Sequence, residues 1–192
     1  MTAAPCTRCA RMLGRSCCEV RDDEQLATLT RTDVERIQAA TRRTRASFVV
    51  EEVLDDAEAR AYEERRPAWR GYFRNGPVRL TLARAAGACV FLDRRRGCTL
   101  SAAVRPTACL LYPFEPRTGG GWTLAVEREG SVARAVASGA PRCLGVEEAA
   151  SAPALLAAFG ASGPSLRALG DRLRAEVRAH GTDPGRRRRR RA

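Results

Sequence analysis

The chain has 192 residues, 34 basic and 22 acidic side chains, one histidine and a formal charge of +12. Every basic residue is arginine, which removes a Walker A phosphate loop, a Schiff-base lysine and a lysine general base. With His180 as the single imidazole, mixed Cys/His metal ligation is all but excluded. The length suits one domain of ordinary size, and the low aromatic content, 5%, predicts a core built from Ala, Val and Leu. Residues 1–20 lack the apolar stretch of a signal peptide and no later run approaches the ~20 apolar residues of a membrane span. The expectation is therefore a reducing cytoplasm and no membrane partner.

Residues 1 to 31 read as an irregular segment carrying Cys6-x2-Cys9-x7-Cys17-Cys18. Thr32-Asp33-Val34-Glu35 has the spacing of a capping box, which predicts Thr32 as the N-cap of a helix running to about Arg45. Asp55 to about Arg66 reads as a second helix, ended or bent by Pro67. Alternation over Pro77 to Leu82 predicts a strand, with Cys89 to Leu92 as a second. The middle cysteines follow as Cys89-x8-Cys98-x10-Cys109. Tyr112 to Glu115 and Trp122 to Val126 flank Gly119-Gly120-Gly121, a predicted hairpin.

After Cys143 the pattern changes. Leu155, Leu156 and Phe159 mark a short apolar helix, and Leu166, Leu169, Leu173 and Val177 recur at helical intervals on a longer one. This pair is expected to cover a face of the cysteine-bearing domain, with a partner-binding helix as the alternative. His180 reads as a solvated residue at a helix end. The breaker sequence Gly181-Thr182-Asp183-Pro184-Gly185 precedes Arg186 to Arg191, whose six charges, once removed, leave +6 for the body. That tail is expected to be a disordered arm that attracts nucleic acid only non-specifically.

Eight cysteines could form disulfides or bind metal. A chain of this length in a reducing compartment favours metal, and adjacent Cys17 and Cys18 could bridge each other only through a strained ring. All-thiolate ligation suits a four-coordinate zinc or an iron–sulfur cluster, and Cys-x2-Cys spacing serves both. Four thiolates around such a centre carry net negative charge, so nearby guanidinium groups would stabilise it. Arg8, Arg11, Arg15, Arg94, Arg95, Arg96 and Arg142 lie near cysteines in sequence; Arg105 has the strongest claim, because Pro106 stiffens its backbone and Cys109 follows one turn later.

Cys6-Thr7-Arg8-Cys9, Gly14-Arg15-Ser16-Cys17-Cys18, Thr32-Asp33-Val34-Glu35-Arg36-Ile37, Cys89-Val90-Phe91-Leu92-Asp93, Gly97-Cys98-Thr99-Leu100, Arg105-Pro106-Thr107-Ala108-Cys109 and Leu111-Tyr112-Pro113-Phe114 together resemble the YkgJ family of cysteine-cluster proteins. The resemblance runs from Cys6 to about Cys143, and it implies a zinc- or iron-chelating domain. This chain departs from the family's Cys-x2-Cys-x2-Cys-Cys shorthand by placing seven residues between Cys9 and the vicinal pair. Cys143, in Pro141-Arg142-Cys143-Leu144-Gly145, resembles the family's closing cysteine.

The expectation is an α+β fold. Residues 1–150 form a small irregular cysteine-rich metal-binding domain with short strands and flanking helices, residues 151–181 a helical extension packed on it, and residues 182–192 the tail. The candidate ligands are Cys6, Cys9, Cys17, Cys18, Cys89, Cys98, Cys109 and Cys143. Arg105 and Tyr112 are the candidates to support them from outside the ligand set. The cofactor would be an iron–sulfur cluster, such as [4Fe–4S], or zinc. Three functions compete: a metal-binding protein with a redox or structural role, an iron–sulfur-dependent group-transfer enzyme resembling flagellin lysine N-methylase, and a zinc-stabilised adaptor that binds nucleic acid through the arginine tail.

Overall fold

In the computed structural model, which describes residues 16–19, 26–126 and 143–182, the fold is α+β, with six α-helices and four two-stranded antiparallel sheets among those residues. The first helix, α1 (Arg31–Thr41), starts two residues earlier than its sequence predicts. Its N-cap is Thr30, whose hydroxyl accepts the Asp33 N–H at 3.1 Å while the Asp33 carboxylate accepts the Thr30 N–H at 2.9 Å. Burial decides between the two capping boxes: Thr30 and Asp33 are both fully buried, whereas Glu35 is exposed. The helix also ends short of Arg45, because Arg42 turns left-handed (φ 57°) and its N–H returns to the Gln38 carbonyl.

Strand β1 (Val49–Val53), unmarked in the sequence reading, pairs antiparallel with β2 (Val78–Leu82), with Val49 opposite Leu82 and Glu52 opposite Arg79. The segment around Thr28 bridges to Thr81, and the Leu29 N–H donates to the Leu80 carbonyl at 2.8 Å. Between the strands, Asp55 caps α2 (Asp56–Arg65) through two backbone N–H groups, and the helix stops before Pro67, as expected.

The expected strand over Cys89 to Leu92 is divided between two hairpins. One joins β3 (Arg84–Ala85) to β4 (Ala88–Cys89), and the other joins β5 (Leu92–Asp93) to β6 (Gly97–Cys98). The second turn is fixed by the Asp93 carboxylate, which accepts the N–H groups of Arg95 and Arg96, and by Gly97 at φ 81°, a conformation that favours glycine. Helix α3 (Thr107–Leu111) follows, then the hairpin of β7 (Phe114–Pro116) and β8 (Trp122–Leu124) around Gly119 and Gly120, as predicted. The C-terminal part comprises α4 (Leu144–Glu148), α5 (Ala152–Ala158) and α6 (Gly163–His180). No helix among the described residues is long and apolar enough to cross a membrane.

Two hydrophobic clusters organise these elements. One gathers Tyr62, Trp69 and Tyr72 with Leu111, Phe114 and the buried faces of α4 to α6, including Leu155, Leu173 and Val177. Few as the aromatics are, they concentrate here: Trp69 packs edge-on against Tyr62 and Tyr72 at ring separations of 6.1 and 5.4 Å. The other cluster gathers Leu29, Val34, Ile37, Phe48, Leu80 and Phe91 with four of the cysteines.

His180 corrects the expectation of a solvated residue. It is 7% exposed, stacks on Tyr72 at 4.0 Å and accepts the Arg31 N–H on Nδ1 at 3.1 Å. The two ends of the described chain are thereby tied together across 149 residues. Burial, with the positive charges of Arg31 and Arg45, brings the imidazole down from 6.5 to about 4. The unfolded chain then binds more protons than the folded one between those values, so stability is complete above pH 6.5 and falls as pH drops toward 4. The loss attributable to His180 is about 2–3 kcal/mol. It is expected to appear as a steeper acid decline of the urea midpoint in the wild type than in His180→Gln; parallel profiles would reject it.

Candidate metal centre

Four cysteines reach one apolar cluster from four segments. Ser16 to Glu19 form a tight turn in which the Glu19 carboxylate accepts the Ser16 N–H at 2.9 Å. The turn runs beside β4, with a Glu19–Ala88 bridge and the Cys89 N–H donating to the Cys18 carbonyl at 2.7 Å. Cys98 ends the β5–β6 hairpin opposite Leu92, and the Thr99 N–H returns to the Phe91 carbonyl. Cys109 lies in the first turn of α3. Cys89 is buried within the second hydrophobic cluster, and Cys18, Cys98 and Cys109 pack against it.

Their thiols feel one another. Burial pushes the Cys89 thiol up to about 11, with the charges of Cys18 and Cys98 adding to the rise. Burial likewise pushes Cys109 well above its ordinary value, and Cys18, Cys89, Cys98 and Asp33 push it further. Cys18 moves the other way, because a hydrogen bond from Cys17 holds its thiolate and, against the opposing effect of burial, the Arg105 guanidinium attracts it. Coulombic influence decays with distance, so Cys18 and Cys98 lie near enough to Cys89 and Cys109 to raise them. Among the described residues, no three His, Cys, Asp or Glu side chains already stand at the separation of metal ligands. Sulfur donors are those that a soft or borderline metal prefers, and with Cys89 and Cys109 raised by burial, a metal bound there would have to displace their protons.

The remaining candidates separate. Cys17 is exposed at the tip of its turn beside Cys18. Cys143 is 4% exposed and belongs to the first hydrophobic cluster, with Val146 and Leu155, rather than to the one that Cys18, Cys89, Cys98 and Cys109 share. No disulfide links any of the six described cysteines. Cys6 and Cys9 lie outside the described residues, as do Arg8, Arg11, Arg15, Arg142 and the arginine tail. Arg94, Arg95 and Arg96 sit exposed on the β5–β6 turn, where Arg94 Nη2 comes within 3.4 Å of Glu19 Oε1. Arg105 is the arginine whose charge reaches a cysteine, and its Nε–H is fixed on the Leu100 carbonyl at 2.9 Å. Tyr112, the C-cap of α3, packs on the first cluster.

Sequence reasoning missed the buried polar network behind α3. Asp33 and Glu176 converge there on Arg36 and Thr107, with Thr107 Oγ1–H donating to Glu176 at 2.7 Å and the Thr107 N–H donating to Asp33 at 3.1 Å. A Thr-x-x-Asp spacing at Thr30 and Asp33 was the one local signal for any part of it. The chain matches no family model, no curated protein and no solved structure.

Proposed function

We propose that this protein binds a metal centre through Cys18, Cys89, Cys98 and Cys109, as either an iron–sulfur cluster or zinc. The observation that carries the reading is the packing of these four cysteines, from four chain segments, in one apolar cluster. Four thiolates are what a tetrahedral zinc or a [4Fe–4S] cluster requires. Bound zinc would cross-link the turn, the two hairpins and α3, whereas a cluster would add one-electron chemistry. Arg105 would offset part of the negative charge next to Cys18. The resemblance to the YkgJ family agrees with this reading, and a reducing compartment, which keeps the thiols available, is part of the proposal.

Anaerobically purified protein tests it. The expected result is either a brown protein with about four iron and matching sulfide per chain, or a colourless one with about one zinc. Folded, metal-free protein in which every thiol titrates would reject the proposal. Group transfer, and nucleic-acid binding through Arg186 to Arg191, which lie outside the described residues, are the alternatives to the metal-binding role.

A further inference from the structure

Helix α3 lacks a cap of its own. Its N-cap position is Pro106, which has no side-chain hydrogen bond to offer, so the N–H groups of the first turn need an acceptor from elsewhere. Asp33, on α1, supplies one by accepting the Thr107 N–H on Oδ1. Glu176, on α6, takes the adjacent hydroxyl, and it is itself 6% exposed and held by Arg36 Nη1 and Arg172 Nε, each at 3.0 Å. Arg36 completes the grip by donating from Nη2 to the Arg105 carbonyl at 3.1 Å and from Nε to the Val104 carbonyl at 3.4 Å. The segment from Val104 to Thr107 is thus held from outside by two helices, immediately before Cys109.

We propose that Glu176 is a positioning residue for the thiolate site, and that through Thr107 and Arg36 it couples the C-terminal helix to metal bound at Cys109. This rests on the metal-binding reading above. Each partner of the network has a definite task. Glu176 orients the Thr107 hydroxyl and one edge of the Arg36 guanidinium, and Arg36 fixes the carbonyls that lead into α3. Removing the carboxylate takes the acceptor from the Thr107 hydroxyl and from Arg36 Nη1, and leaves Asp33 as the one carboxylate holding Arg36 and the Thr107 N–H, so the start of α3 and with it Cys109 are held less firmly. Groups that orient ligands from behind are commonly worth 10–100-fold in metal affinity. By linkage, metal binding must tighten α6 by the same factor that α6 tightens metal binding.

The full chain is used for the test. Metal affinity is measured by chelator competition, with zinc or ferrous iron as the probe, for the wild type, Glu176→Ala, Glu176→Gln, Thr107→Ser and Leu155→Ala, alongside hydrogen exchange of α6 with and without metal. Glu176→Ala is expected to lose about 10–100-fold in affinity, Glu176→Gln less, and Thr107→Ser, which keeps the hydroxyl, little. Leu155→Ala empties part of the other hydrophobic cluster and should lower stability while the folded protein keeps its affinity. Metal should slow exchange in α6 of the wild type and not of Glu176→Ala. Should Glu176→Ala fail to fold, Glu176→Gln carries the comparison. Wild-type affinity in the Glu176 variants, equal losses in Leu155→Ala, or unchanged α6 exchange on loading would overturn the coupling and leave the metal reading standing. A wild type that takes up neither metal would overturn both.

Discussion

On the proposed metal-binding role, Cys109→Ser is expected to abolish metal uptake and Cys143→Ser to preserve it. The two cysteines occupy opposite packing environments. Cys109 sits in the first turn of α3 among Cys18, Cys89 and Cys98, whose charges its sulfur feels. Cys143 lies with Val146, Leu155 and Leu173 in the cluster built by the C-terminal helices. A serine at position 109 removes one thiolate of four, and a hard hydroxyl is a poor substitute for a soft donor. A serine at position 143 instead places a hydroxyl in an apolar setting that is 4% exposed, costing about 1–3 kcal/mol of stability. Metal per chain in anaerobically purified variants, together with thermal melts, reads both effects. Equal metal in wild type and Cys109→Ser would remove Cys109 from the ligand set, and loss of metal in Cys143→Ser would bring Cys143 into it.

Asp33→Ala should cost about 3–5 kcal/mol of stability, because several buried donors lose one acceptor at about 1–3 kcal/mol each. Its carboxylate is fully buried and accepts four donors: the N–H and hydroxyl of Thr30, the N–H of Thr107 and the Arg36 guanidinium. Alanine leaves the N–H groups of Thr30 and Thr107 and the Thr30 hydroxyl without that acceptor, while Arg36 keeps Glu176 and the Val104 and Arg105 carbonyls. Burial raises the Asp33 carboxyl above its ordinary value, and the charge of Glu176 raises it further. Part of what the negative charge contributes is therefore offset by its own desolvation. Asp33→Asn, which keeps one acceptor oxygen and sheds the charge, should accordingly cost less, about 1–3 kcal/mol. Urea denaturation of the three proteins decides the matter; equal stability of wild type and Asp33→Ala would show that the network contributes nothing net.

Elements defined by neighbours in sequence were the legible ones. The Asp55 cap and Pro67 bounded α2, alternation marked β2, and the glycine run marked the β7–β8 turn, because each depends on backbone preferences a few residues long. The C-terminal helices were legible for the same reason, through apolar spacing that Leu166, Leu173 and Val177 bear out by being buried. Short strands defeated the reading. Cys89 to Leu92 looks continuous as a pattern, yet Cys89 closes one hairpin and Leu92 opens the next, since two-residue strands carry too little periodicity to be told from one longer strand.

The charged residues show the limit most clearly. Asp33 and Glu176 look like ordinary solvated positions on helices, and His180 like a frayed end, yet all three are less than 9% exposed. Their partners lie 74, 69 and 149 residues away. No local pattern encodes such a meeting.

By itself, the sequence determined the chemistry available to this protein: abundant thiols, no lysine, one histidine and local caps that set most helices. Tertiary structure alone decided which apolar cluster each described cysteine packs in. It gathered Cys18, Cys89, Cys98 and Cys109 and put Cys143 elsewhere, because a cysteine's neighbours depend on which apolar cluster its element packs into. It also decided that a carboxylate on the last helix reaches the start of the Cys109 helix, a contact that exists only once both helices are docked and their charges have left water.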